Sequence, residues 1–500
     1  MTIHRFESAV PQFGGLPSNP FGYEPRPWMF ATRDAVMNHL KACSSAMPGH
    51  LIAIVLSEDV FGNLVFTAAS DQIEALDPWF VPTFYDSLPD LAPIPVDDSF
   101  LLEAEDLRRS TLGSYLKEKA AYSEHKHQRG IKRQHGADSA RLDEESRRES
   151  LSLNKLRVQY KNALAAENQA KERLQKKLAQ AQRHYWLKRL SHVTADNGTD
   201  CAALDRLLED DIENELLLKS ILRTGLPALL DHAVKNHLNS LDWGCFWFGP
   251  SPESDIRQEG EFYAFPRLRH DRLLKYFLAE RPLEPNPLSI DRFADWVPSV
   301  LFEDEFLIAI EKPAGLLSVP GKGGLTNALQ KMLEIRPEMT GPVLLHRLDM
   351  STSGVLIFAK DKETHLAMQR VFENRQVHKS YEALIEKEPH RSSGVISLPL
   401  CPNPYDTPRQ MVDRTYGRES LTQFKVISSG GPCRVILSPV TGRSHQLRVH
   451  CAHPAGLGSP ILGDELYGHR GPRLMLHAKS IVFEHPATQK EIRIISEAPF

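Results

Sequence analysis

The sequence predicts an α+β protein, and three observations carry that reading. Residues 50–70 hold two apolar runs rich in β-branched and aromatic residues around a turn containing Gly62, the pattern of a β-hairpin. Residues 101–190 contain no proline and little glycine, and Ala, Leu, Glu, Lys, Arg and Gln dominate, the composition of long helices. From about residue 300 the sequence becomes strand-like, and residues 395–440 give several short strands with Pro and Gly punctuation, consistent with antiparallel additions to a mixed sheet. A chain of 500 residues is long for one domain, so two or three are expected.

In chain order, residues 1–48 are rich in Pro, Gly and aromatics and show little periodicity. With the hairpin at 50–70 and the Pro-rich stretch that follows, they make a small β-containing region over 1–100. Residues 101–240 form a helical, basic insert. Leu153, Leu156, Tyr160, Leu164, Leu174, Leu178 and Ala181 recur at steps of mostly three and four, the spacing of an amphipathic helix. Over 101–190 there are 21 Lys and Arg against 12 Asp and Glu, an excess of nine positive charges. Two readings fit that excess: an arm that grips RNA phosphates, or a solvated helical hairpin kept soluble by its charges. The heptad pattern is not sustained, so a coiled coil is an open reading and a monomer is the expected state.

Residues 241–288 are an aromatic-rich segment and a linker. Trp243, Phe246, Trp247, Phe248, Phe262, Tyr263 and Phe265 could stack on bases, but such a density more often fills a core, and core is the favoured reading. A catalytic domain is expected over 289–500. Its focus is residues 344–360, LLHRLDMSTSGVLIFAK, an apolar strand entry, a polar turn with His346, Arg347 and Asp349, a Ser-Thr-Ser-Gly turn and a second apolar strand. A carboxylate in a tight turn between two strands can sit at the lip of a cleft on a rigid sheet. The alternative is that Asp349 only caps its turn through backbone hydrogen bonds.

The string HRLDMSTSG at 346–354 resembles HRLDxxTSG, the catalytic motif of the RluA-type pseudouridine synthases, which convert uridine in RNA to its C-glycosidic isomer. Further motifs follow in that family's order: KPAGL at 312–316 resembles KPxGL, and KSYEA at 379–383 resembles KxYxA. TGRSHQLRVH at 441–450, with Gly458, Pro460 and GDELYG at 463–468, is similar to the third motif. The resemblance covers about residues 297–500. It implies the pseudouridine synthase fold with a central cleft, Asp349 as the essential carboxylate, Tyr381 as the aromatic that packs on the target base with a part in proton removal, and Arg448 as the partner of Asp349. Arg347 corresponds to the arginine that enters the RNA stack in place of the flipped base. His346, Lys379, Arg443 and Gln446 complete the expected RNA-binding set, and Lys312 is expected to approach a phosphate.

The implied reaction is redox-neutral and transfers no group to or from the substrate, so no cofactor is expected. Asp349 could act as a nucleophile at C1′ or as a base on the sugar. The partner is RNA, ribosomal or transfer. The rival reading is a non-catalytic RNA-binding or ribosome-assembly protein using the same fold. His445, His450, Cys451 and His453 match no zinc spacing, so no metal is expected. Six scattered cysteines without a Cys-x-x-Cys pair fit a reducing, cytoplasmic setting. The apolar stretch at 216–234 is broken by Lys219, Arg223, Asp231 and His232, so no membrane span is expected, and the N-terminal residues lack the pattern of a secretory signal.

Overall fold

The structure is a computed structural model that describes all residues except 1, 8–9, 44–48, 71–78, 280, 322–323, 342, 405 and 430–431. The chain divides into two units, one of Met1–Ser87, Ala195–Cys201 and Lys219–Phe500, the other of Leu88–Thr194 and Ala202–Leu218.

The second unit is built on two long helices, Ser99–Gln134 and Ser139–Leu190, joined by a short turn. Gly136 takes a φ of 81° in that turn, and the Asp138 carboxylate caps the next helix by accepting from the Ala140 N–H at 3.0 Å. The helices pair within the chain. Arg129 meets Glu149 at 2.6 Å, Arg108 meets Glu167, Arg133 meets Asp143, and the Tyr115 and Tyr160 rings stack 6.2 Å apart. Three of the basic residues are therefore paired with acids across the hairpin, and the net excess of positive charge stands. No described helix is long and apolar enough to cross a membrane.

Among its described residues the first unit contains two large sheets and a two-stranded pair of Leu400–Pro402 with Gln410–Val412. The N-terminal one has five antiparallel strands in the order His4–Arg5, Leu64–Ser70, His50–Glu58, Asn239–Phe248, Phe262–Tyr263. The predicted hairpin is its centre, and the aromatic segment supplies the strand beside it. Phe246, Phe248 and Phe262 pack with Ile52, Ile54 and the Pro27–Ala42 helix, so these rings are core. The strands on either side of the long insert thus close one sheet.

The larger sheet runs Ser393–Ser397, Leu421–Ser428, Cys433–Pro439, His378–Ile385, Leu476–Glu484, Ser353–Ala359, Leu307–Lys312, Ser299–Glu303, with Glu491–Ile495 also paired to Leu476–Glu484. Every pairing in it is antiparallel except that of Ser353–Ala359 with Leu476–Glu484. Ser353–Ala359 is buried on both faces. Leu356 and Phe358 pack into one core cluster, Val355, Ile357 and Ala359 into the other, the two-residue alternation of a central strand. At the parallel junction Gly354 has a φ of 116°, and a Cβ there would lie 2.3 Å from the Ala478 carbonyl oxygen. The glycine after the Ser-Thr-Ser turn is what allows the two backbones to approach.

Candidate active site

Asp349 sits in the turn that enters this central strand, and both of its neighbours are clamped. On one side the Ser318 hydroxyl donates to the Leu348 carbonyl at 2.7 Å and accepts from the Leu348 N–H at 3.1 Å. On the other, the Met350 carbonyl accepts from the Gly315 N–H at 2.8 Å and from Lys312 Nζ at 3.1 Å. The Asp349 carbonyl closes the turn by accepting from the Thr352 N–H at 3.0 Å. The carboxylate is thus held by bonds that do not use its own oxygens, which leaves them available for chemistry.

Lys312 corrects the expectation of a phosphate contact. It is fully buried, and its Nζ also donates to the carbonyls of Pro313 at 2.9 Å and Leu316 at 2.7 Å. Burial pulls the ammonium down to about 7, against the opposing pull of Asp349. The alternation of the Leu307–Lys312 strand explains the placement, since Lys312 shares a face with the core residues Ile308 and Ile310.

A cavity of about 580 Å³ opens at this turn, and all eight of the site residues named from the sequence line it: His346, Arg347, Asp349, Lys379, Tyr381, Arg443, Gln446 and Arg448. Tyr381 comes from the His378–Ile385 strand, just past an irregularity where its pairing with Leu476–Glu484 skips a residue. Such bulges re-aim side chains. Burial first, and Asp349 second, push the phenol well above its ordinary value, so Tyr381 is a neutral hydroxyl at physiological pH.

Arg448 lies on the buried helix Gln446–Ala452. Its expected partner is Asp349, but the guanidinium fork is directed at Asp464, Nε to Oδ2 at 2.9 Å and Nη2 to Oδ1 at 2.5 Å. Asp464 is the better placed acceptor because its turn also brings the N–H groups of Leu466 and Tyr467 onto Oδ1, at 3.0 and 3.1 Å. Asp349 still acts on Arg448 through space, as it does on Lys312, Tyr381 and His445.

Two members of the expected RNA-binding set face inward. His346 Nε2 accepts from the Ile357 N–H at 3.3 Å, and burial pulls the imidazole down to about 3, which keeps it neutral. The Gln446 amide is saturated: its nitrogen donates to the Leu421 carbonyl and the Thr422 hydroxyl at 2.9 Å each, and its oxygen accepts from the Thr441 hydroxyl at 2.8 Å and the Arg443 N–H at 3.0 Å. Both hold the cavity wall. Arg347 and Arg443 are exposed at its mouth, and Lys379 is half-buried against the Phe372 ring at 5.8 Å.

Residues outside the expected set support Arg448 and its helix from behind the cavity lining. His445 precedes the Gln446–Ala452 helix with a φ of 52°, and its Nδ1 is 2.9 Å from the Tyr467 hydroxyl. Burial, helped by Arg448, pulls His445 down to about 4. Tyr467 and Asp464 belong to the GDELYG turn, whose match to a motif was the available signal for them. His450 bonds Ser420 and Thr422, and His453 bonds the Glu253 carbonyl, so these imidazoles diverge. Among the described residues no group of His, Cys, Asp and Glu is arranged to hold a metal ion.

Comparison with known proteins identifies the family. The family model described as RNA pseudouridylate synthase matches residues 306–453. The dual-specificity RNA pseudouridine synthase RluA of Vibrio cholerae is 40% identical over 199 residues, which cover 38% of this chain and 78% of that protein. The RluA of Haemophilus influenzae is 35% identical over 214 residues, covering 40% of this chain and 93% of that one. Among solved structures, the human RNA pseudouridylate synthase domain containing 1 aligns at 30% identity over 44% of this chain and 87% of that one, with a TM-score of 0.35.

Proposed function

The chain belongs to the RluA-type RNA pseudouridine synthases, and on that premise we propose that it isomerises particular uridines of structured ribosomal or transfer RNA with Asp349 as the reacting carboxylate. The observation that carries this reading is the clamped Asp349 turn, flanked by Ser318 on one side and Lys312 on the other, in a cavity shared with Tyr381 and Arg448.

The reaction breaks the C1′–N1 bond, turns the base and joins C1′ to C5. The C5 proton leaves and N1 takes one up, so nothing is oxidised, reduced or transferred away. One carboxylate serves, either bonding to C1′ or removing a sugar proton, because no water has to be activated by a second. Tyr381 packs on the base as a neutral phenol, so it takes part in proton movement as a donor or relay rather than as a resident phenolate. Arg448, with its fork on Asp464, supplies fixed positive charge at the cavity floor.

The target uridine must leave its stack, at a cost of a few kcal/mol that is smallest in a loop. Arg347 at the mouth has the planar guanidinium to fill the vacated place, and Arg443 and Lys379 are the further cations for the backbone. His346 and Gln446 serve as wall residues in this scheme. The six cysteines, with no Cys-x-x-Cys pair among them, fit a cytoplasmic enzyme.

The direct test is release of tritium from RNA labelled at uridine C5. The wild-type protein is expected to release it and Asp349→Asn to lose the activity by about a thousandfold or more while remaining folded. The rival, a non-catalytic RNA-binding protein of the same fold, requires no release from either.

A further inference from the structure

Residues 253–258 leave the N-terminal sheet region and are built into the catalytic domain. Ser254 accepts from the Val412 N–H at 2.9 Å and the Glu253 carbonyl receives His453 Nε2 at 3.1 Å. Ile256 joins a small apolar cluster with Leu400, Val449, Ala452 and Tyr467, two of them on the helix that carries Arg448. Between these contacts lies a buried cluster of two carboxylates and two guanidinium groups. Asp255, Arg257, Asp406 and Arg409 are exposed by only 8%, 9%, 8% and 2%. Arg257 bonds Asp406 and reaches Asp255 from Nε at 3.2 Å, while Arg409 bonds Asp255 at 2.6 Å and the Ile256 carbonyl.

The cluster does not end at the domain surface. Arg409 also bonds the Leu466 carbonyl and lies over the Tyr467 ring, 4.8 Å from its centroid. Gln258 adds a second hold, its side-chain amide donating to the Tyr467 carbonyl at 3.1 Å. The Tyr467 hydroxyl takes the Gln410 N–H at 2.6 Å and meets His445 Nδ1 at 2.9 Å. Its ring lies 5.4 Å from Arg448, and the same turn carries Asp464. Two bonded steps therefore join residue 258 to His445, whose left-handed backbone starts the Arg448 helix.

We infer that Asp255, Arg257 and Gln258 are positioning residues of the synthase site: acting through Arg409 and Tyr467, this N-terminal segment sets the orientation of His445 and of the Arg448–Asp464 pair beside Asp349. The segment is then a structural part of the reaction centre and not an RNA-binding appendage. A guanidinium as buried as Arg409 needs its acceptors, and two of them, Asp255 and the Ile256 carbonyl, come from this segment. Without them Arg409 must move, and the Leu466–Tyr467 turn moves with it.

The kinetic side of the inference rests on the proposed activity, so the test has a readout that does not. In the full-length protein, Arg257→Leu is expected to lower kcat about tenfold with KM and RNA affinity unchanged, and Arg257→Lys, which keeps a cation beside Asp255 and Asp406, is expected to retain part of what Arg257→Leu loses. Gln258→Ala, which leaves the charge cluster intact, is expected to lower kcat in the same direction and keeps the test informative if Arg257→Leu does not fold. Independently of turnover, the ring nitrogen resonances of His445, assigned by their loss in His445→Gln, are expected to shift in Gln258→Ala. A rise in KM at constant kcat would make the segment an RNA contact and overturn the inference. Loss of stability alone, with kcat and the His445 resonances unchanged, would overturn it as well. A wild-type protein without activity but with shifted His445 signals would defeat the proposed reaction and leave the positioning role standing.

Discussion

Arg448 and Asp464 form a two-point buried pair, with exposures of 3% and 0%, in which both oxygens of the carboxylate meet the guanidinium. Removing one partner from such a pair strands a charge in a dry site. Asp464→Ala is expected to cost about 3–5 kcal/mol of stability and to lower turnover, because Arg448 loses the bonds that hold it off Asp349. Denaturant midpoints and single-turnover rates measure the two effects. Stability within about 0.5 kcal/mol of the wild type would contradict the pair's role.

Lys312 links the loop after its strand to the turn of Asp349. Lys312→Met keeps the apolar stem and removes a donor shared by three carbonyls, so a loss of about 1–3 kcal/mol is expected for the acceptors left unmet. Turnover should fall more than RNA affinity, since the Met350 side of the Asp349 turn is released. A rise in KM with kcat unchanged would restore the phosphate-contact reading.

In the proposed reaction Arg347 acts on the RNA and not on the bond being broken. Arg347→Ala is expected to slow modification of a folded stem-loop by about tenfold or more, the scale of an unstacking penalty, and to leave an unstructured oligonucleotide nearly unaffected. Equal losses on both substrates would remove the base-flipping role.

Four imidazoles, His270 and His450 buried and His346 and His445 partly buried, shape the response to acid. Burial pulls His270 and His346 down to about 3, and His445 and His450 to about 4. Between about pH 4 and 6.5 they are neutral in the folded chain and charged in the unfolded one, so the unfolded state binds more protons. Stability therefore rises with pH through that window, is complete above it, and is lost as pH falls from 6.5 towards 4. The melting temperature should drop by several degrees from pH 7.5 to pH 5, and His450→Gln should narrow the difference. A melting temperature unchanged between the two values would show that these histidines are not buried in the neutral form.

Much of the site was readable from local sequence. The Asp349 turn, the Tyr381 strand and the Arg448 helix each have a pattern of their own, and the sheet brings them round one cavity. Partners were harder to read, because they depend on side chains far along the chain. Asp349 and Asp464 are equally acidic neighbours of Arg448 on paper, and only the turn at 464–467 decides between them. The alternation of Ile308, Ile310 and Lys312 is a usable sign that the lysine points into the core, set against the usual exposure of lysine side chains.

The N-terminal region was least legible for the same reason. His50–Glu58 pairs with Asn239–Phe248 across the whole helical insert, and nothing local to either strand sets that register. The polar run SPESDIRQEG at 251–260 carries no local pattern that marks a buried segment. Its Asp255 and Arg257 are buried because Asp406 and Arg409 come to meet them.

The central claim, that Asp349 carries a uridine isomerisation, is tested most directly by carbodiimide mapping of pseudouridine in total RNA from cells expressing either the wild-type chain or Asp349→Asn at equal levels. Stops at one or a few uridines of ribosomal or transfer RNA that are present with the wild type and absent with the variant are the predicted result. An unchanged pattern, with every stop retained in the variant, would contradict the account.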